Sequence, residues 1–143
     1  MYMMRQLIWN PADNSSFNLE QKAKMTFPRH GHAVTAFADQ YVVVTGSRKD
    51  TNTAADKVEL YDINKNQWTK LANMRYGRHY HSSCEFNSEY VFVFCGIQNQ
   101  NKKYFNYIER LNVKASLNNF NVAWEVINCT DPAKTKAVSI PPR

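Results

Sequence analysis

Residues 29–47 read RHGHAVTAFADQYVVVTGS, and residues 78–96 read RHYHSSCEFNSEYVFVFCG. Laid over each other at a displacement of 49, they match Arg29 to Arg78, His30 to His79, His32 to His81, Phe37 to Phe86 and Tyr41 to Tyr90. Val42-Val43-Val44 meets Val91-Phe92-Val93, and Gly46-Ser47 falls on Cys95-Gly96. With one inserted residue, Val58-Glu59-Leu60-Tyr61-Asp62 lies over Ile108-Glu109-Arg110-Leu111-Asn112, and after six further insertions Trp68 meets Trp124. Ordered matches over so long a stretch mark a tandem repeat with a unit of about fifty residues.

The pattern extends outward in both directions. Ile8-Trp9-Asn10 reads like Leu60-Tyr61-Asp62, Phe17 takes the place of Trp68, and Met25 stands where the next unit has Met74. Pro141-Pro142-Arg143 resembles Phe27-Pro28-Arg29, the lead-in to a unit. The chain is therefore expected to comprise a trailing half-unit at 1–28, whole units at 29–77 and 78–128, and a tail or further lead-in at 129–143. Its 143 residues suit one ordinary domain, and 43% hydrophobic content is enough for a core.

Each unit reads as strands. Ala33 to Phe37 and Tyr41 to Thr45 flank the polar turn Ala38-Asp39-Gln40, and the second is a continuous apolar run suited to burial on both faces. Val58 to Asp62 alternates, with Val58 and Leu60 on one face and Glu59 and Tyr61 on the other. Gln67 to Leu71 follows a second polar turn and centres on Trp68. The next unit repeats this at Ser82 to Phe86, Tyr90 to Phe94, Tyr107 to Asn112 and Ala123 to Ile127. Only Leu19 to Lys24 shows any helical pattern. Four short antiparallel strands per repeat predict an all-β, partial β-propeller built of four-stranded blades.

The chain resembles Kelch repeats, which combine an Arg-x-x-His lead-in, an apolar strand ending in a glycine doublet, a Glu-x-Tyr-Asp strand and a tryptophan some six residues on. Here these are Arg29, His32, Gly46, Glu59, Tyr61 and Trp68, then Arg78, His81, Gly96, Glu109 and Trp124. The second unit departs from the pattern at Leu111-Asn112, and each doublet keeps a single glycine. The tryptophans are expected to anchor one blade against its neighbour. The two glutamates are expected to pair with a cation or backbone donors, and the two arginines to brace the start of the inner strand.

Catalytic signatures are lacking: there is no Gly-x-Ser-x-Gly, phosphate loop or paired-carboxylate motif. Two His-x-His pairs, His30/His32 and His79/His81, could offer four imidazoles to a metal, but consecutive blades are expected to hold equivalent atoms well apart. Cys84 and Cys95 lie on apolar strands and read as buried fillers. No catalytic residue, cofactor or metal is assigned. Three cysteines without metal-ligand spacing suit reduced thiols and a cytoplasmic location. The longest apolar run, Tyr90 to Cys95, is too short to cross a bilayer, and Met1 to Trp9 does not read as a signal peptide. A net charge of +6 is spread among acids rather than gathered in a block, which argues against nucleic acid.

Binding to another protein is the expectation that remains. In a four-stranded meander, the connection between strands two and three shares an edge with the connection to the next blade. Those segments carry Arg48, Lys49, Arg75, Tyr76, Arg78, Lys102 and Tyr104, a basic and aromatic set suited to an acidic peptide segment. Fewer units than the smallest ring would leave blade faces uncovered and open to self-association, or to completion within a longer protein. The resemblance further implies an adaptor for ubiquitin ligation or an actin-binding role, and, in a different class, a fragment of a copper-using propeller oxidase.

Overall fold

The computed structural model describes residues 5–9, 17–48, 54–98 and 107–128. Strands β1 (Arg5–Trp9) and β2 (Phe17–Gln21) form a two-stranded antiparallel sheet. A second sheet is the meander β3 (Ala33–Phe37), β4 (Tyr41–Arg48), β5 (Ala54–Asp62) and β6 (Gln67–Lys70). A third repeats it as β7 (Ser82–Phe86), β8 (Tyr90–Phe94), β9 (Tyr107–Asn112) and β10 (Glu125–Asn128). The protein is all-β, and its two complete blades place their inner strands, β3 and β7, face to face. Among the described residues no helix is long and apolar enough to cross a membrane.

The same local chemistry builds both blades. The first hairpin turn puts Ala38 and Asp39 at positive φ, and its counterpart does the same at Asn87 and Ser88. This is the backbone sense that matches the twist of paired strands. Val43, Val44 and Thr45 on β4 are all buried, as a strand covered on both faces requires. The core runs without a break from Phe37, Val43, Val58 and Leu60 of the first blade to Val91, Val93, Leu111 and Trp124 of the second. Much of what each blade buries is therefore buried against the other, as in repeat arrays generally.

Several expectations change on contact with the fold. Strands β4 and β5 run past Thr45 and Val58 because a register shift between Thr45 and Ser47, with Gly46 at φ +63°, lets the ladder resume at Ser47 with Ala55. Val58 to Asp62 is buried on both of its alternating faces. Leu19 to Lys24 is not helical: its first half belongs to β2, where pairing with β1 overrides local preference. The insertion before Trp124 folds instead into a one-turn helix, α1 (Val113–Ser116), capped by the Asn112 side chain accepting from the Ala115 N–H at 2.8 Å. That turn delays β10, which starts at Glu125 rather than Ala123.

Cys84 and Cys95 are exposed, not buried. On β3 the position matching Cys84 is Thr35, which is covered by β7 and hydrogen-bonded to Ser83. The same face of β7, bearing Ser82, Cys84 and Phe86, has no covering strand among the described residues. Cys95 takes a left-handed φ of 62° just past β8, outside the strand's in-and-out alternation.

The joint between blades is tight at Gly46. A Cβ there would fall on the Arg78 carbonyl oxygen and lie 2.6 Å from His81 Cε1. At Gly31, also left-handed, a Cβ would meet only the Tyr80 ring, at 2.8 Å, on a side chain exposed enough to swing away. Gly46→Ala is therefore expected to cost about 2–4 kcal/mol from backbone strain plus overpacking, against about 1–2 kcal/mol for Gly31→Ala. Urea unfolding of the two variants measures the difference, and equal losses would refute the joint's rigidity.

Candidate functional site

The residues that lead into each blade are fixed by a buried ion pair. Arg29 is fully buried; its Nη1 donates to the carbonyls of Gly46 and Lys57, each at 3.0 Å, and its Nη2 pairs with Glu59. The second oxygen of Glu59 accepts the Thr26 backbone N–H at 2.9 Å. Arg78 repeats this bond for bond. It donates to the carbonyls of Cys95 at 3.1 Å and Tyr107 at 3.4 Å, and to Glu109 at 2.6 Å, while Glu109 accepts the Arg75 N–H at 2.7 Å. One guanidinium thus ties the lead-in to strands two and three of its own blade. Burial pulls the pKa of Arg29 below its ordinary value, and the Glu59 contact opposes that shift.

The tryptophans anchor each blade to the segment before it. Trp68 Nε1 donates to the Ala23 carbonyl and Trp124 Nε1 to that of Ala72, both at 2.9 Å. Tyr61 packs on Trp68 with ring centroids 4.9 Å apart and donates its hydroxyl to Asn66, whose side chain also accepts the Ala23 N–H. Leu111 replaces Tyr61 in the second blade and lacks that hydroxyl, though it stays fully buried.

The histidines are closer together than the blade spacing suggests, because the two lead-ins touch. Tyr80 N–H donates to the Gly31 carbonyl at 2.7 Å, and His81 Nε2 lies 2.8 Å from Thr45 Oγ1 across the joint. Burial, then Arg78, His32 and His79, hold the His81 pKa down to about 3. Burial, then Arg29, lowers His32, and burial, then Arg48, lowers His79. Among the described residues no three histidine, cysteine or acidic side chains are grouped so as to hold a metal. The cluster is a packed joint, and His81 within it is held uncharged near neutral pH.

The segments leading into each blade also line one edge of it, against the ends of β4 and β5. Of the residues expected on this edge, Arg75 is exposed, and Arg48 and Tyr76 are half-buried. Arg78 is not on the surface: it is the latch arginine just described, with its charge matched inside by Glu109. Lys49, Lys102 and Tyr104 lie outside the described residues, as does the expected lead-in at 129–143. Phe27 and Lys57 lie within the segments expected on this edge, Met25 to His30 and Arg48 to Lys57, without being singled out there, and Tyr107 lies just beyond Gln98 to Asn106. Tyr107 stacks on Tyr76 at 5.8 Å, and Phe27 and Lys57 line a cavity of about 420 Å³ with Pro28, Arg29, Ser47 and Ala55.

Comparison with known proteins matches the Kelch motif to residues 28–75, the stretch holding the first latch, its tryptophan and the joint glycine. That stretch carries a Kelch motif. The chain is also similar to a RING finger domain and kelch repeat-containing protein of Dictyostelium discoideum, at 29% identity over 106 residues. That match covers 65% of this chain but only 10% of the relative's length.

Two outcomes follow from the Kelch latch and joint. Arg78→Met leaves the Glu109 carboxylate buried and unpaired, and should cost about 3–5 kcal/mol in urea unfolding. Adding Glu109→Leu should recover part of the loss, but not all, because the Arg75 N–H and two carbonyls then lack their partners. A double variant no better than the single one would show that the ion pair is not the source of the cost. For His81, the unfolded chain takes up a proton near pH 6.5 that the folded joint refuses until about pH 3. Its contribution to stability is complete above pH 6.5 and is lost as pH falls from 6.5 toward 3. Melting temperature should drop from pH 7 to pH 5, and His81→Gln should flatten that slope; an unchanged slope in the variant would count against the joint.

Proposed function

We propose that this chain works as a protein-interaction module, without chemistry of its own, and that its partner presents an acidic segment to the edge bearing Arg48, Arg75 and Tyr76. Kelch repeats as a class mediate protein–protein interaction, which supports the general reading. The particular edge is supported by its charge. Glu59 and Glu109, the two carboxylates beneath it, are spent on buried arginines, whereas Arg75 is exposed above them. Among the described residues of this edge, Asp56 is an acid at the surface, and it stands 3.4 Å from Lys57. A rim of basic groups with an aromatic pair among them favours encounter with acidic segments and sets register more than it adds raw affinity.

The reading extends to location and assembly. Free thiols at Cys84 and Cys95 suit a cytoplasmic protein. The face of β7 that no described strand covers suits association with a further blade, whether of the same protein or of another copy. The relative that joins a RING finger domain to its Kelch repeats favours a role as the recruiting part of a larger protein over a free-standing one.

The test is binding of a fluorescein-labelled, glutamate-rich peptide, read by anisotropy. Arg75→Glu should weaken binding about tenfold, and raising the salt should weaken binding to the wild-type chain. Lys65→Glu, an exposed change in the turn on the opposite edge, should leave affinity unchanged. Equal effects of the two substitutions would remove this edge from consideration.

A further inference from the structure

The two blades differ at one place on this edge, and the second shows what the first lacks. Lys57 and Tyr107 hold equivalent positions, since their carbonyls receive the same Nη1 donation from Arg29 and Arg78. Phe27 and Tyr76 are likewise equivalent, each two residues before its latch arginine. In the second blade the two aromatic rings stack, 5.8 Å apart and inclined by only 19°. In the first, lysine replaces the tyrosine, and the Phe27 ring borders the cavity of about 420 Å³. That volume is within the range of about 300–1,000 Å³ typical of ligand pockets.

We infer that this cavity receives an aromatic side chain from the acidic partner segment, which stacks on Phe27 as Tyr107 stacks on Tyr76. The inference rests on the loop-edge reading and gives it a specificity pocket. The walls are suited to a ring: Phe27, Pro28 and Ala55 are apolar, and Lys57, which also lines the cavity, has a long methylene stem. The mouth is suited to acidic flanks. The Lys57 ammonium is partly exposed, with Asp56 nearby, and the Lys70 ammonium lies over the Phe27 ring itself, 4.9 Å from its centroid. A carboxylate beside the inserted ring would meet the Lys57 ammonium. The floor is rigid, because Arg29 is fully buried and bonded to Gly46, Lys57 and Glu59. Little is then spent on ordering the pocket itself.

The experiment uses the full chain and two short fluorescein-labelled, glutamate-rich peptides that differ only in a central tyrosine or alanine. The tyrosine peptide should bind the wild-type chain about tenfold more tightly. Lys57→Tyr copies the second blade and fills the cavity from within. It should erase the difference between peptides while circular dichroism and melting temperature stay near wild type. Phe27→Leu, which keeps an apolar wall but removes the stacking face, should reduce the same difference. If the two peptides bind equally, and both weaken in Arg75→Glu, the pocket is overturned and the loop edge stands. If neither peptide binds, the loop edge falls and the pocket with it. If Lys57→Tyr folds normally and still prefers the tyrosine peptide, the ring goes elsewhere and the pocket is overturned.

Discussion

A guanidinium with no exposed surface must find its acceptors inside the protein, and that demand organises each blade. Arg29 and Arg78 meet it in the same way, with two backbone carbonyls and one carboxylate, and each carboxylate spends its second oxygen on a backbone N–H of the lead-in. Each arginine still leaves its buried Nε without a partner. Such pairs are poor value as stabilisers, because removing two charges from water costs most of what their attraction returns. What they supply here is position. The lead-in strand is pinned at the arginine and again at the backbone N–H of Thr26 or Arg75, so it reaches the inner strand in one register. A hydrophobic replacement of equal volume would fill the space without directing those polar groups.

Once the lead-ins are fixed, the contact between blades is fixed as well. The Arg78 carbonyl accepts from the Ser47 N–H, and His81 is wedged against Gly46 and Gly96, each of which has room for a hydrogen but not a methyl group. That explains why one glycine of the doublet is enough in each blade: Gly46 and Gly96 are where the joint needs the space, and Ser47 and Cys95 do not occupy it. The histidine must also stay uncharged, because burial first, and then the Arg78 charge beside it, disfavour the imidazolium. A joint that buries an uncharged His81 beside a cation loses stability as protons are added.

The repeat, the blade count within the described residues and the latch residues were all legible in the sequence, because each recurs at nearly fixed spacing. Recurrence at 49 separates a structural constraint from a chance resemblance more sharply than any single motif does. The features that escaped were the ones without a repeat partner or without a local signal. Helix α1 fills an insertion that the first blade lacks. The burial of Cys84 depends on whether another strand covers β7, and strand pattern alone cannot report that. The extension of β5 depends on a bulge at Gly46, and the histidine coupling on contact between lead-ins 49 residues apart. Arg78 was read both as a latch and as a surface contact, and only burial separates those roles.

The same logic bears on recognition. In a repeat protein, positions held alike in every unit are occupied with holding units together, so specificity for a partner has to come from positions where units differ. The pairs Phe27–Lys57 and Tyr76–Tyr107 meet that description: the backbone around them is equivalent down to the arginine donors, yet one pair stacks and the other leaves a cavity. A filled slot and an open slot side by side on one edge give a partner segment a direction as well as a site. Two identical slots would let it bind in either of two registers, whereas one open slot admits its ring at a single place, and the latch beneath keeps that place from moving.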